Sequence, residues 1–426
     1  MAPITDHQLR YDLANELHAR PFPSLDAPCT AVFLAIKQPA NAVARDRSAD
    51  RAHLVDLLDR FGAAHPPPDA THFYGQIGRF TLKWEQHTEF VTYTVFEESD
   101  RGNAFDPVAF DVFPNDWLDA APGVRLTSAL FHIAPRPDDD VVVKNLQDWF
   151  VPESLAVSRV LDDAAIIAGD FRIDPAGHMR FAIFADDDTG SRRIGRVVQR
   201  LCEIEMYKSA SMLGLARVKQ LGARMGALEA DLSSMVGAMT DANVDADTTL
   251  QQLLTISAEL ENMIAKSTFR FGATGAYEAI VNQRIDVLRE ERFSGRQTFA
   301  EFMMRRFDPA MRTVKSTEAR LQAMAGRAVR AAELLRTRVD VERSAQNQTL
   351  LASMDKRADL QLRLQKTVEG LSVVAISYYA VNLALYVLGP AGKSLDLSKV
   401  TLAAVTTPVV ILLVWWLVRR IRQSMD

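Results

Sequence analysis

The sequence predicts an α/β N-terminal domain, a long helical bundle and stalk, and a two-helix C-terminal transmembrane hairpin. Three observations predict this fold class. Two uncharged apolar runs stand near the C-terminal end. Fifteen of the eighteen prolines lie at or before Pro175, and none recurs until Pro309. Short alternating segments fill the first half, whereas helical periodicity dominates after Thr189.

Residues 1–188 read as an acidic cytoplasmic α/β domain. Helices are expected over Asp6 to Ala19, Ser48 to Phe61 and Asp138 to Phe150. Strands are expected over Thr30 to Lys37, His72 to Trp84, Glu89 to Phe96, Arg125 to Ile133, Ala164 to Ile173 and Met179 to Phe184. Gly177-His178, after Asp174-Pro175, marks a hairpin turn. Residues 1–190 hold 16 Lys and Arg against 30 Asp and Glu, whereas residues 191–426 hold 33 against 24. The acidic front disfavours nucleic acid as a partner, and the basic rear suits an anionic surface. The two cysteines, Cys29 and Cys202, are far apart, which excludes a disulfide scaffold and fits a reducing compartment. The first residues show no basic cap followed by an apolar run, so no signal peptide is expected.

Residues 189–308 read as a helical bundle. Asp188 or Thr189 is placed to cap a long first helix, followed by helices at Asp247 to Lys266 and Tyr277 to Phe293. Gly272-Ala-Thr-Gly275 reads as the break between the last two. Asp308-Pro309 pairs an N-cap with proline at the first helical position and opens a stalk over 309–370. Its stripe of Ala325, Ala328, Ala332, Leu335 and Val339 allows close helix approach. An oligomeric stalk and an intramolecular three-helix bundle both fit that stripe.

Residues 371–388 and 400–418 carry no charge and at ~1.5 Å per residue reach roughly 27–29 Å, close to the hydrocarbon thickness. A short outer loop is expected over 389–399 and a basic cytoplasmic tail over 419–426. Lys356, Arg357, Arg363 and Lys366 precede the first span, and Arg419, Arg420 and Arg422 follow the second. The connection holds only Lys393 and Lys399, so both termini are expected in the cytoplasm. Trp415 and Trp416 sit where an interfacial anchor belongs.

Several residues are candidates for chemistry. Ser372, Ile376, Tyr379, Leu383 and Tyr386 form one stripe of the first span, with Asn382 on its flank. Polar groups there suit a pore lining or helix–helix packing. Gly389 and Pro390 are the candidate outer mouth. Thr406-Thr407-Pro408 predicts a kink, with a threonine hydroxyl able to reach a freed carbonyl. The basic neck of Lys356, Arg357, Arg363 and Lys366 suits ion gating or anionic headgroups. Asp138-Asp139-Asp140 and Asp186-Asp187-Asp188 either bind a divalent cation or cap the helices they precede. His65 and His72 flank a proline triplet and either share a metal or lie on the surface. Arg20 either holds an anion or precedes the Pro21 that ends the first helix. GxxxxGK[ST], HExxH and paired CxxC signatures are absent, and no catalytic residue is proposed.

ANELHARPF (Ala14 to Phe22), RLCEIEMYKSASMLGLA (Arg200 to Ala216) and VEGLSVVAISYY (Val368 to Tyr379) together resemble domain-of-unknown-function family 3422. Those are membrane-anchored bacterial proteins with no established activity, and the resemblance covers essentially the whole chain. The order of parts is also similar to the CorA-type magnesium transporters. That resemblance implies a pentamer in the inner membrane whose first spans line a cation path. The Gly-Met-Asn of that family is replaced by Tyr386-Val387-Leu388-Gly389-Pro390, which removes its selectivity residues. The expectation is therefore a membrane-anchored homo-oligomer conducting ions, with a tethered scaffold or sensor as the rival and a membrane-bound enzyme as a weaker third.

Overall fold

The computed structural model describes residues 4–16, 22–39, 44–99, 101–239, 245–394 and 398–423. It divides into two units, Met1–Ala242 with Gln251–Ala331, and Asn243–Leu250 with Ala332–Asp426.

The first unit is built on a nine-stranded sheet. Its strands are β1 (Cys29–Lys37), β2 (His72–Ile77), β3 (Phe80–Gln86), β4 (Phe90–Glu97), β5 (Val124–Pro135), β6 (Ala156–Val160), β7 (Ala165–Gly169), β8 (Met179–Ala185) and β9 (Glu291–Arg292). Their order is β2-β3-β4-β1-β5-β8-β7-β6-β9. Among the described residues only the β5–β8 pair is parallel. Strand β1, fourth in that order, is an interior strand and is buried along nearly all its length. Its side chains alternate between two cores, as the pleat requires. Ala31, Phe33 and Ala35 join the core that holds Val197, Leu201 and Ile204. Val32, Leu34 and Ile36 join the core of Leu54, Leu57, Trp84, Tyr93 and Trp117. A run buried on both faces therefore reads as continuously apolar rather than alternating.

The sheet expectations need four corrections, the first being that β9 occupies the end of the helix expected over Tyr277 to Phe293. The segment His72 to Trp84 is not one strand but the β2–β3 hairpin, because Gly78 takes φ +60° and turns the chain. The strand expected to reach Ile173 stops at Gly169. Strand β6 was not expected; Leu161, Asp162 and Asp163, all at positive φ, link it to β7.

The helices are α1 (Arg10–Glu16), α2 (Arg47–Arg60), α3 (Asn115–Asp119), α4 (Asp139–Trp149), α5 (Ser191–Ala238), α6 (Ala246–Asp286), α7 (Phe299–Arg306), α8 (Asp308–Ser394) and α9 (Lys399–Gln423). Neither Asp188 nor Thr189 caps α5. Gly190 holds that position, and the Thr189 hydroxyl donates to the Ala164 carbonyl instead, at 2.7 Å. Helix α6 is continuous through Gly272 and Gly275, so the expected break is absent. Between those glycines, Thr274 is buried against α5, where a Cβ on Gly214 would overlap the threonine hydroxyl. Glycine at 214 is thus what lets the two helices approach. Helix α8 runs through Gly389 and Pro390 to Ser394, so the first six residues expected as the outer loop are helical.

Gly195 on α5 has a comparable role, because a Cβ there would collide with the Pro23 carbonyl oxygen. The segment before β1 is pinned at the same place by Leu25 N–H donating to Ser191 O at 3.1 Å. Gly195→Ala should lower the stability of the purified chain by about 1–3 kcal/mol, the usual cost of overpacking. Gly222→Ala, which meets nothing within 4 Å, should leave it equal or higher. Thermal unfolding of both variants checks this.

Candidate functional site

The most heavily charged buried site lies where the β3–β4 turn meets helix α6. Glu89, in that turn, is wholly buried. Arg270 of α6 forms a two-pronged ion pair with its carboxylate, the Nη1–Oε1 distance being 3.2 Å. The Tyr277 hydroxyl donates to Glu89 Oε1 at 2.8 Å, and Lys37 Nζ of β1 lies 3.7 Å from Oε2. Burial lowers the affinity of Lys37 for its proton, and Glu89 works against that shift. Burial pushes the Tyr277 phenol up, and the Glu89 charge pushes it further. Beside this group, Arg45 is buried and donates to the carbonyls of His87 (2.6 Å), Thr88 and Phe90 (3.2 Å). Its Nε donates to Asp50 at 2.7 Å. One guanidinium therefore fixes the turn that carries Glu89.

A small cleft opens nearby between the sheet and α5. Lys83, Glu85, Gln199 and Glu203 line it. Lys83 Nζ donates to Gln199 Oε1 at 2.8 Å and lies 3.3 Å from Glu85. Gln199 Nε2 donates to Glu203 at 2.9 Å, and Glu203 also pairs with Arg284. A second buried carboxylate, Glu205, accepts from Thr127 (2.8 Å), Lys208 (2.6 Å) and Ser209 (2.9 Å).

The two acidic runs are brought together, but around arginines. Arg136 lies 3.2 Å from Asp139, 3.1 Å from Asp163 and 3.3 Å from Asp186. Arg159 pairs with the same Asp139 (2.6 Å) and Asp163 (2.7 Å). Asp138 holds the N-cap position of α4 without a side-chain bond, and Asp139 and Asp140 lie in its first turn. Asp187 and Asp188 are exposed. Among the described residues no three His, Cys, Asp or Glu side chains group to hold a metal ion. His65 binds Asp59 at 2.6 Å rather than sharing a ligand with His72. Arg20 lies outside the described residues.

In the second unit, two helices are long and apolar enough to cross a membrane. Only 6% of the most apolar stretch of each is buried, unlike the core helix of a soluble protein. Burial follows one line on each: Val373, Ser377, Val381 and Ala384 on α8, and Thr406, Val410, Val414 and Val418 on α9. The stripe expected to line a pore is on another face. Ser372 is exposed, as are Ile376 (51%), Tyr379 (73%), Leu383 (67%) and Tyr386 (82%). Asn382 is half-buried, and its amide donates to Tyr378 O at 3.1 Å. Gly389 and Pro390 continue the helix. The hydroxyls of Thr406 and Thr407 bond Leu402 O and Ala403 O. The carbonyl freed by Pro408 is that of Ala404, so neither threonine serves it. Arg419 and Arg420 lie 5.1 and 5.2 Å above the rings of Trp415 and Trp416. Lys356, Arg357, Arg363 and Lys366 are exposed.

Sequence reasoning missed the Glu89 and Glu205 groups, whose partners lie up to 188 residues away. A lone acidic residue inside an apolar strand pattern, Glu89 before Phe90-Val91, was the available signal.

The molecule is thus an α/β protein with a mixed sheet, a helical bundle and stalk, and two apolar C-terminal helices. Residues 5–425 match DUF3422, described as a protein of unknown function, and the chain belongs to that family. No curated protein matches it.

Glu89→Ala would leave Arg270 and Lys37 without their counter-charge and should cost about 3–5 kcal/mol. Denaturant unfolding measures this. Burial also depresses the proton affinity of His53 and His178 below the usual histidine value. The neutral rings are favoured in the fold, so the unfolded chain binds the extra protons. Their contribution is complete above about pH 6.5 and is lost as pH falls below it. His53 also bonds Tyr93 Oη (3.0 Å) and the Trp117 carbonyl (2.9 Å). Denaturant melts across pH 7.5–5 should show stability falling towards acid, with a shallower fall in His53→Gln.

Proposed function

We propose that this protein is a bilayer-anchored homo-oligomer of the bacterial inner membrane, both termini cytoplasmic, whose first apolar helices surround an ion path. Ser372, Ile376, Tyr379, Leu383 and Tyr386 line it, with Asn382 on the flank. The carrying observation is their exposure on a face turned away from the buried line of Val373, Ser377 and Ala384. Polar groups facing lipid are costly, and a water-filled axis or a partner helix removes that cost. The basic residues at the inner end, Arg419 and Arg420 stacked on tryptophans, support the cytoplasmic placement. A CorA-type arrangement of parts is the guide for this proposal, with a cation as the conducted species and a pentamer as the stoichiometry to test.

The second reading is a membrane-tethered scaffold or sensor. One observation favours it: Gly389 and Pro390 extend α8 rather than forming a loop, so the outer mouth has no selectivity loop at those residues.

Flux of magnesium and of monovalent cations from proteoliposomes decides between them. Wild-type protein should conduct, and Ser372→Leu should reduce the flux about tenfold through an apolar constriction. Flux equal to that of empty vesicles overturns the conducting reading and leaves the tether.

A further inference from the structure

Arg363, Lys366, Arg419 and Arg420 are exposed, and among the described residues they enter no ion pair. Asp359 and Glu369 stand near the first two in sequence without pairing with them. The Glu369 carboxylate accepts from Gln365 at 3.3 Å instead.

The two helices bring these cations to one end of the apolar hairpin. The covered line of α8, Val373, Ser377, Val381 and Ala384, advances in steps of three and four residues. The same steps carried back reach Gly370, Lys366 and Arg363, which continue the covered face. The chain turns back between Ser394 and Lys399, so Arg420 of α9 stands level with about Val373 of α8. Gly370, Lys366 and Arg363 are exposed, so the face stands open past the end of α9. At ~1.5 Å per residue, Lys366 lies ~10 Å and Arg363 ~15 Å beyond the level of Arg420. Arg419 and Arg420 are held over Trp415 and Trp416, whose side chains are 50% and 51% exposed. Tryptophans so placed mark the border between hydrocarbon and a headgroup layer ~5–8 Å deep.

We infer that this open step beside the end of α9 binds the headgroup of an anionic phospholipid. Arg419 and Arg420 hold its hydrocarbon side, and Lys366 and Arg363 hold its aqueous side. The inference rests on the bilayer-spanning reading above and stands whether or not ions pass. Unpaired cations around one step suit a ligand carrying a phosphate and a net negative charge. A zwitterionic headgroup would bring its own ammonium among them. Exposed Val374 and Leu417, on the membrane side of the cations, give acyl chains a surface that free phosphate cannot use. Lys356 and Arg357 fall outside the site. They lie ~25 Å beyond Arg420, about two Debye lengths past the headgroup layer, and are screened from it.

Tryptophan quenching of the full chain in vesicles tests this, with brominated acyl chains on either phosphatidylglycerol or phosphatidylcholine. Trp84, Trp117 and Trp149 pack in or against cores of the first unit, so lipid quenching reports on Trp415 and Trp416. The anionic lipid should be preferred about fivefold or more, and the preference should fall as salt rises. Inorganic phosphate should leave it unmoved. Arg363→Gln with Lys366→Gln should lower the preference several-fold, and Arg363→Lys should retain it. Lys356→Gln with Arg357→Gln should change it by less than about twofold. Circular dichroism should show constant helix content throughout. Equal quenching by the two lipids, displacement by inorganic phosphate, or equal losses from the two glutamine pairs overturns the inference and leaves the spanning reading intact. Quenching by neither lipid overturns both.

Discussion

Glu89 has no water to turn to, and that constraint organises the first unit. An ionised carboxylate in an apolar interior is tolerated only when charges and hydrogen bonds surround it. Here Arg270 and Tyr277 come from one helix, Lys37 from strand β1, and Arg45 holds the turn on which the carboxylate sits. None of these groups is near Glu89 in sequence, so the site exists only when sheet and helices are already in place. Apolar packing supplies most of the driving force, since Phe33, Phe131 and Leu201 meet in one core. Packing alone permits α6 to slide along its partners. A paired, buried charge does not, because a shift of one helical turn of about 5.4 Å would strand it.

How far the sequence could be read follows the range of the physics involved. Strand β1 and helix α2 were expected within a residue or two of where they lie, because their signals are periodic and local. The two apolar helices were legible for the same reason, since length and absence of charge are properties of a short window. What failed was non-local. Gly272 and Gly275 look like a break, yet buried Thr274 between them contacts Gly214 on another helix and tertiary packing overrides propensity. The two aspartate runs read as either a cation site or helix caps; Arg136 stands beside the first run, but nothing local reveals that it also reaches Asp163 and Asp186 or that Arg159 joins it. In the first span the periodic stripe was legible as a stripe, but which face the chain would cover with its own second helix was not.

The contrast along α8 follows from what each stretch touches. Ala325, Ala328, Ala332, Leu335 and Val339 are buried. Below them, alanines give way to leucines and methionine that remain exposed. Burying one such side chain contributes roughly 1.5–3 kcal/mol, and leaving several in water forgoes it repeatedly.

The same helical geometry changes the meaning of the basic neck. Lys356, Arg363 and Lys366 fall within one half of α8 and all are exposed, so one side of the helix carries these cations. The nearer two, Arg363 and Lys366, are well placed to meet anionic headgroups, at ~1 kcal/mol per basic residue near the surface. Arg419 and Arg420 add to the same belt, held by their tryptophans.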